Sequence, residues 1–116
     1  MRVIIAGSRT FNDYNLLQIS CDNILESIIN IEIISGTCNG ADQLGERYSN
    51  EKGYKLKQFP ADWDRYGKSA GYKRNEQMAK YADMLIVFWD GKSKGTKNMI
   101  NIAENLGIEI KVIKYE

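Results

Sequence analysis

A chain of 116 residues, 43% of them apolar, has room for one hydrophobic core and not for two. A formal net charge of +1 excludes a whole-molecule basic footprint for nucleic acid, although it leaves a local basic patch open. The absence of histidine removes Ser-His-Asp and Cys-His catalysis and the His-containing zinc sites, and two cysteines alone cannot close a zinc site. No apolar run approaches the roughly 20 residues that cross a bilayer, so no membrane partner is expected. The start, "MRVIIAGS", runs straight into a strand-like pattern and is too short for a secretory signal. Cys21 and Cys38 are few and far apart, which fits a reducing cytoplasm better than a disulfide scaffold.

The elements follow from periodicity. "RVIIA" (2–6) is a continuous β-branched run, broken by "GSR". From Asp13 to Asn30, Leu16, Leu17, Ile19, Ile24, Leu25, Ile28 and Ile29 recur at helical spacing. "IEIIS" (31–35) is a second strand. "GTCNG" ends it, and "ADQLGERYSNEKG" reads as a helix that stops near Gly53. "YKLKQF" (54–59) alternates and is less apolar, which places it at an edge of the sheet. Next comes "PADWDRYGKSAGYKRNEQ", with the chain's one proline and hardly an aliphatic residue; its second half, continuing as "AGYKRNEQMAKYA", is helical. "DMLIVFW" (83–89) is the most apolar strand and so an interior one. "DGKSKG" is a loop, "TKNMINIAENLG" a helix and "IEIKVIKY" (108–115) the last strand.

Strands alternating with helices build a parallel sheet with right-handed crossovers. The expected fold is a single-domain α/β, Rossmann-like, doubly wound sheet of about five mostly parallel strands with helices on both faces. In such folds ligands bind beyond the carboxyl ends of the strands, where the strand order reverses. The loops at that end carry the chemistry here. They are Gly7-Ser8-Arg9, then Ser35 to Asp42, then the stretch from Pro60, then Asp90 to Thr96. The turns at the opposite end, near Asn30, Gly53 and Gly107, are ordinary helix stops.

Each loaded loop has a ligand reading and a plainer one. In the fourth, "GKSKGT" opens a helix among three lysines (Lys92, Lys94, Lys97) and two hydroxyls (Ser93, Thr96). Glycine-exposed amides at a helix N-terminus suit a phosphate, though the spacing is not that of a Walker A loop. The plainer reading is an exposed turn with Thr96 as N-cap. In the second loop, Asn39 followed by Asp42 resembles a capping box. Asp42 alternatively accepts hydrogen bonds from ribose hydroxyls or an amine; its own charge at the helix start would repel phosphate. The first loop lacks the full G-x-G-x-x-G of a dinucleotide site, but Gly7 permits close approach and Arg9 is a candidate anion clamp. In the third, Trp63 and Tyr66 offer faces on which a base could stack. Gly71, Arg74, Asn75, Met78 and Ala82 then share one helix face. Lys68 and Arg74 suit an anionic ligand. The alternatives are that Trp63 plugs the core edge and that Arg74 pairs with Asp62, Asp64 or Asp90. Cys38 is a candidate nucleophile at a helix start, without a histidine to activate it.

Four motifs in order, "GSRTF", "SGTCNGAD", "PADWDRYGKSAGYKRNEQM" and "WDGKSKGTKNMI", together resemble the YspA-type (YpsA-related) branch of the SLOG superfamily over nearly the whole chain. The resemblance implies a Rossmann-like fold that binds nucleotides or nucleotide-derived ligands. It implicates Gly7, Ser8 and Arg9; Ser35, Gly36, Gly40 and Asp42; Asp62, Trp63, Lys68, Gly71, Arg74 and Asn75; and Asp90, Ser93, Gly95 and Thr96. The branch carries S-G-G-A where this chain has Ser35-Gly36-Thr37-Cys38, and the P-G-G-x-G-T stretch of the related phosphoribohydrolases is reduced to "KGT". The resemblance also implies a homo-oligomer, a dimer or a tetramer.

The function expected is binding of a nucleotide-type small ligand, to sense or sequester a signalling nucleotide such as an ADP-ribose derivative, with no metal and no further cofactor. Two alternatives stand beside it. One is an enzyme cleaving an N-glycosidic bond, with Asp42 or Asp90 as the catalytic carboxylate. The other is a DprA-like binder of single-stranded nucleic acid, which the neutral net charge disfavours.

Overall fold

The computed structural model describes residues 1–115. Five strands form one sheet in the order β3-β2-β1-β4-β5. They are β1 (Arg2–Gly7), β2 (Glu32–Ser35), β3 (Lys55–Gln58), β4 (Met84–Trp89) and β5 (Glu109–Lys114). Every pairing is parallel, so the sheet is wholly rather than mostly parallel. The helices are α1 (Tyr14–Leu25), α2 (Ala41–Lys52), α3 (Trp63–Tyr66), α4 (Ala70–Tyr81) and α5 (Lys94–Leu106), with a short 3-10 turn (Gly67–Ser69) between α3 and α4.

The alternation of side chains along the strands divides the core in two. Val3, Ile5, Ile33, Ile86 and Phe88 point to one face, where Leu17, Cys21 and Leu25 of α1 and Ala41 and Tyr48 of α2 cover them. Ile4, Ala6, Ile34, Leu85 and Val87 point to the other, under Met78 and Ala79 of α4 and Met99, Ile100 and Ala103 of α5. Burying each such large side chain stabilises the fold by about 1.5–3 kcal/mol. All four residues of β3 are exposed, as an edge strand should be, and β4 is interior.

Helix α1 is shorter than the spacing predicts. It is capped by Asp13, whose carboxylate accepts the Leu16 amide at 3.0 Å, and it ends at Leu25 rather than Asn30. The β-branched pair Ile28-Ile29 is a weaker helix former, Ile29 is 79% exposed, and Ile28 reaches the core from outside the helix. Asn30 adopts a left-handed φ of 56°, which turns the chain into β2.

The topology fixes where a site can lie. The chain leaves β1 by α1 towards β2 and leaves β4 by α5 towards β5, on opposite faces. A crevice therefore opens at the carboxyl ends of the adjacent strands β1 and β4. Among the described residues, no helix is long and apolar enough to cross a membrane.

Candidate functional site

Loop 2, between β2 and α2, is held in an unusual shape. Thr37 adopts φ 65°, a left-handed conformation that costs a β-branched residue about 1–2 kcal/mol. Hydrogen bonds on both sides enforce it. Ser35 donates its hydroxyl to Glu46 Oε2 at 2.6 Å and accepts the Thr37 amide at 3.0 Å. The Cys38 amide donates to Asp42 Oδ2 at 3.1 Å, and the Gly36 carbonyl accepts from Arg74 Nη1. The strained residue thus aims the carbonyl before it at a cation and the amide after it at an anion. Glycine suits position 36, because a Cβ there would lie 2.8 Å from Asp42 Oδ2 and 2.9 Å from Arg74 Nη1 and would displace both charged ends. It is required at 40, the N-cap of α2, where φ is 77° and a Cβ would strike the Ser8 carbonyl. The capping-box reading of Asn39 and Asp42 gives way here. Gly40 caps α2 without a side chain, and Asp42 serves loop 2.

Arg74 and Asp42 are the charges at the centre. Arg74 is 7% exposed and Asp42 5%. Arg74 pairs with none of Asp62, Asp64 or Asp90. Its Nε donates to Asn75 Oδ1 at 2.9 Å, Nη1 to the Gly36 carbonyl, and Nη2 to Cys38 Sγ at 3.6 Å. Asn75 passes the chain of bonds to α5 by donating to Asn98 Oδ1 at 3.0 Å. Burial pushes the Asp42 carboxyl up to about 6, against the Cys38 amide and the charge of Arg74, which pull it down. A carboxyl balanced near neutrality inside a cavity marks a functional candidate.

Loop 4 gives way to α5 earlier than expected, at Lys94 rather than Thr96. Ser93, not Thr96, is the N-cap, and its Oγ accepts the Thr96 amide at 3.4 Å and the Thr96 hydroxyl at 3.0 Å. Asp90 shapes the turn before it. Its Oδ1 accepts the amides of Ser93 and Lys92, both at 2.8 Å, and these bonds hold its carboxyl below the usual range. The amides of Lys94 and Gly95 have no partner among the described residues.

A cavity of about 250 Å³ lies between α4 and α5 at the switch point. Gly7 and Arg9 border it from loop 1, Cys38 and Asp42 from loop 2. Trp63, Lys68, Gly71, Arg74 and Asn75 border it from the third loop and α4, and Ser93, Gly95 and Thr96 from the start of α5. All four loaded loops therefore meet at one place. Trp63 does not plug the core; it stands 51% exposed at the mouth. Tyr66 is not on this cavity, and its ring faces Arg65 and Lys73 instead. Tyr72, 52% exposed, supplies the second aromatic. A shallower groove of about 500 Å³ adjoins, sharing Arg9, Cys38, Trp63 and Arg74 with the first and adding Gly36, Thr37, Asn39, Pro60 and Ala61.

Other expected residues stand behind this lining. Ser8 ties three loops together: its carbonyl accepts the Phe11 and Ala41 amides, and its hydroxyl accepts the Asp90 amide at 3.4 Å. Ser35, Gly36 and Gly40 shape loop 2, Asp62 caps α3 through the Arg65 amide, and Asp90 holds loop 4. Of the floor residues, the sequence placed Met78 on the shared face of α4 and did not single out Met99. The signal was present: Met78 continues the 71-74-75 face of α4, and Met99 lies three residues beyond Thr96 on α5. Tyr72 falls off the 71-74-75 face and left no such signal. Among the described residues, no group of three or more His, Cys, Asp or Glu side chains could hold a metal ion.

Comparison with known proteins bears on this arrangement. The sequence model of the YspA, cpYpsA-related SLOG family matches residues 1–66, more than half of the chain. The chain belongs to this family. The match covers loops 1 and 2 and reaches Trp63, whereas Lys68, Arg74 and the α5 wall lie beyond it. The gene 61 protein of Mycobacterium phage D29 is 30% identical over 116 residues, covering 94% of this SLOG chain and 93% of the phage protein. Among solved structures, DNA processing protein A (DprA) from Streptococcus pneumoniae superposes with a TM-score of 0.76 at 18% identity. That likeness covers 99% of the SLOG chain and 50% of DprA, so this protein spans half of its structural neighbour and shares its fold.

Proposed function

We propose that this SLOG protein binds a nucleotide or nucleotide-derived small ligand in the cavity between α4 and α5, and so senses or sequesters a signalling nucleotide. The observation that carries the reading is the convergence of four loops, 7–9, 38–42, 63–75 and 93–96, on one cavity at the switch point. Trp63 and Tyr72 offer a base two half-exposed aromatic faces. Asp42 accepts from sugar hydroxyls. Arg9, Lys68 and Arg74, with the unpartnered amides at the start of α5, take phosphate. At 250 Å³ the cavity is smaller than the roughly 300–1,000 Å³ of drug-sized sites, which suits a mononucleotide; a longer ligand would extend into the adjoining groove.

Calorimetric titration with nucleoside mono-, di- and triphosphates and ADP-ribose tests this. Trp63→Ala is expected to cost about 1–3 kcal/mol of binding, roughly 5- to 150-fold, with unfolding unchanged, because the ring is half exposed. Silence across the panel from folded protein would refute the reading.

The state of Asp42 favours one second reading. A carboxyl near pH 6 in a ligand cavity is poised for acid–base work, such as activating the water that displaces a base from C1′ of a nucleotide. Release of free base by the wild type and not by Asp42→Asn would establish it. Failure of the wild type to release base from any common nucleotide leaves binding as the activity.

A further inference from the structure

Two of the cavity's lining residues are glycines inside helices, at matching places. Gly71 is the second residue of α4 and Gly95 the second of α5. Glycine is a poor helix former, so its presence there needs a cause. Backbone conformation is not the cause, since neither has a left-handed φ. Close packing is not the cause either. A Cβ on Gly95 would meet nothing within 4 Å, and one on Gly71 would meet only the Trp63 ring at 3.6 Å, an ordinary contact. The contrast with Gly7, Gly36, Gly40 and Gly45 is plain, because a Cβ on each of those would meet other atoms at under 3.0 Å. Both glycines line the cavity whose floor is Met78 and Met99, and a side chain at either position would enter space that no other protein atom fills.

We propose that Gly71 and Gly95 are specificity-determining residues, and that the bound ligand occupies the space their absent side chains leave between the first turns of α4 and α5. This rests on the nucleotide-binding reading above and adds where the ligand sits and what limits its size. A methyl is about the size of a water molecule, ~30 Å³. Two of them remove about a quarter of a 250 Å³ chamber, and the one at 95 also hinders approach to the first-turn amides of α5. The same change replaces glycine by the best helix former in both helices. Affinity and stability should therefore move in opposite directions, which a merely structural role does not produce.

The test compares wild type, Gly71→Ala, Gly95→Ala and the double variant by calorimetric titration with the common nucleoside monophosphates, ADP, ATP and ADP-ribose, alongside thermal unfolding without ligand. The expected result is a double variant whose affinity for the tightest wild-type nucleotide falls at least tenfold while its Tm is unchanged or raised. A double variant that binds as the wild type does overturns the assignment and leaves the nucleotide reading standing. A clear drop in Tm also overturns it, since the glycines would then serve packing. If the wild type binds none of these probes, both readings fall together.

Discussion

Replacing Asp42 by Asn isolates the electrostatics of the site. The side chain is 5% exposed, and burial dominates its titration, raising the carboxyl to about 6 despite the Cys38 amide and Arg74. An ordinary Asp titrates near ~3.9, so the folded state holds this proton about two pH units too tightly, and each unit is worth about 1.4 kcal/mol. The group therefore contributes up to about 3 kcal/mol that is fully present below about pH 4 and is lost as the pH rises through about 6. At pH 7 the folded protein carries a buried charge it would rather not have. Asparagine keeps the shape of the neutral acid and never ionises. Asp42→Asn should thus be more stable than the wild type at pH 7 by on the order of 2 kcal/mol, and the advantage should shrink towards zero by pH 4. Asp22, Glu51 and Asp90, whose carboxyls are held low, lose their contributions as the pH falls, but they do so in both proteins and cancel in the difference. The assay is urea unfolding by circular dichroism at unit pH steps from 4 to 7. A stability difference that does not vary with pH would refute the reasoning.

Two other perturbations probe the same scaffold. Arg74→Met orphans the Gly36 carbonyl and Asn75 Oδ1 and leaves Asp42 without its buried counter-charge, which should cost about 3–5 kcal/mol at pH 8 and less at pH 5, where Asp42 can take up a proton; equal losses at both pH values would exclude the coupling. Thr37→Gly relieves about 1–2 kcal/mol of left-handed strain and gives back part of it as chain entropy, so denaturant unfolding should show a net gain of about 0.5–1 kcal/mol, and a loss would mean that the side chain is needed where it stands.

Much of this molecule was legible residue by residue. The β-branched run at 2–6, the apolar run at 83–89 and the helical spacing between them specify an alternating chain, and such a chain makes a parallel sheet because its crossovers must be right-handed. The exposed alternation of "YKLKQF" marked β3 as an edge, and the crowding of Gly, Arg, Trp and hydroxyl residues into alternate loops marked one rim. Those features are local, and local periodicity determines them. The tertiary structure decided what lies across space. It carried the Arg74 guanidinium over 38 positions to the Gly36 carbonyl, in place of the nearby acids at 62, 64 and 90. It set Asp62 and Asp90 to local turns, turned Tyr66 away, brought Tyr72 to the mouth and made Met78 and Met99 the floor of a cavity. The reason is that a residue's spacing fixes the face of its own helix or strand, whereas the neighbour opposite that face is chosen by strand order, here 3-2-1-4-5, which no single segment encodes.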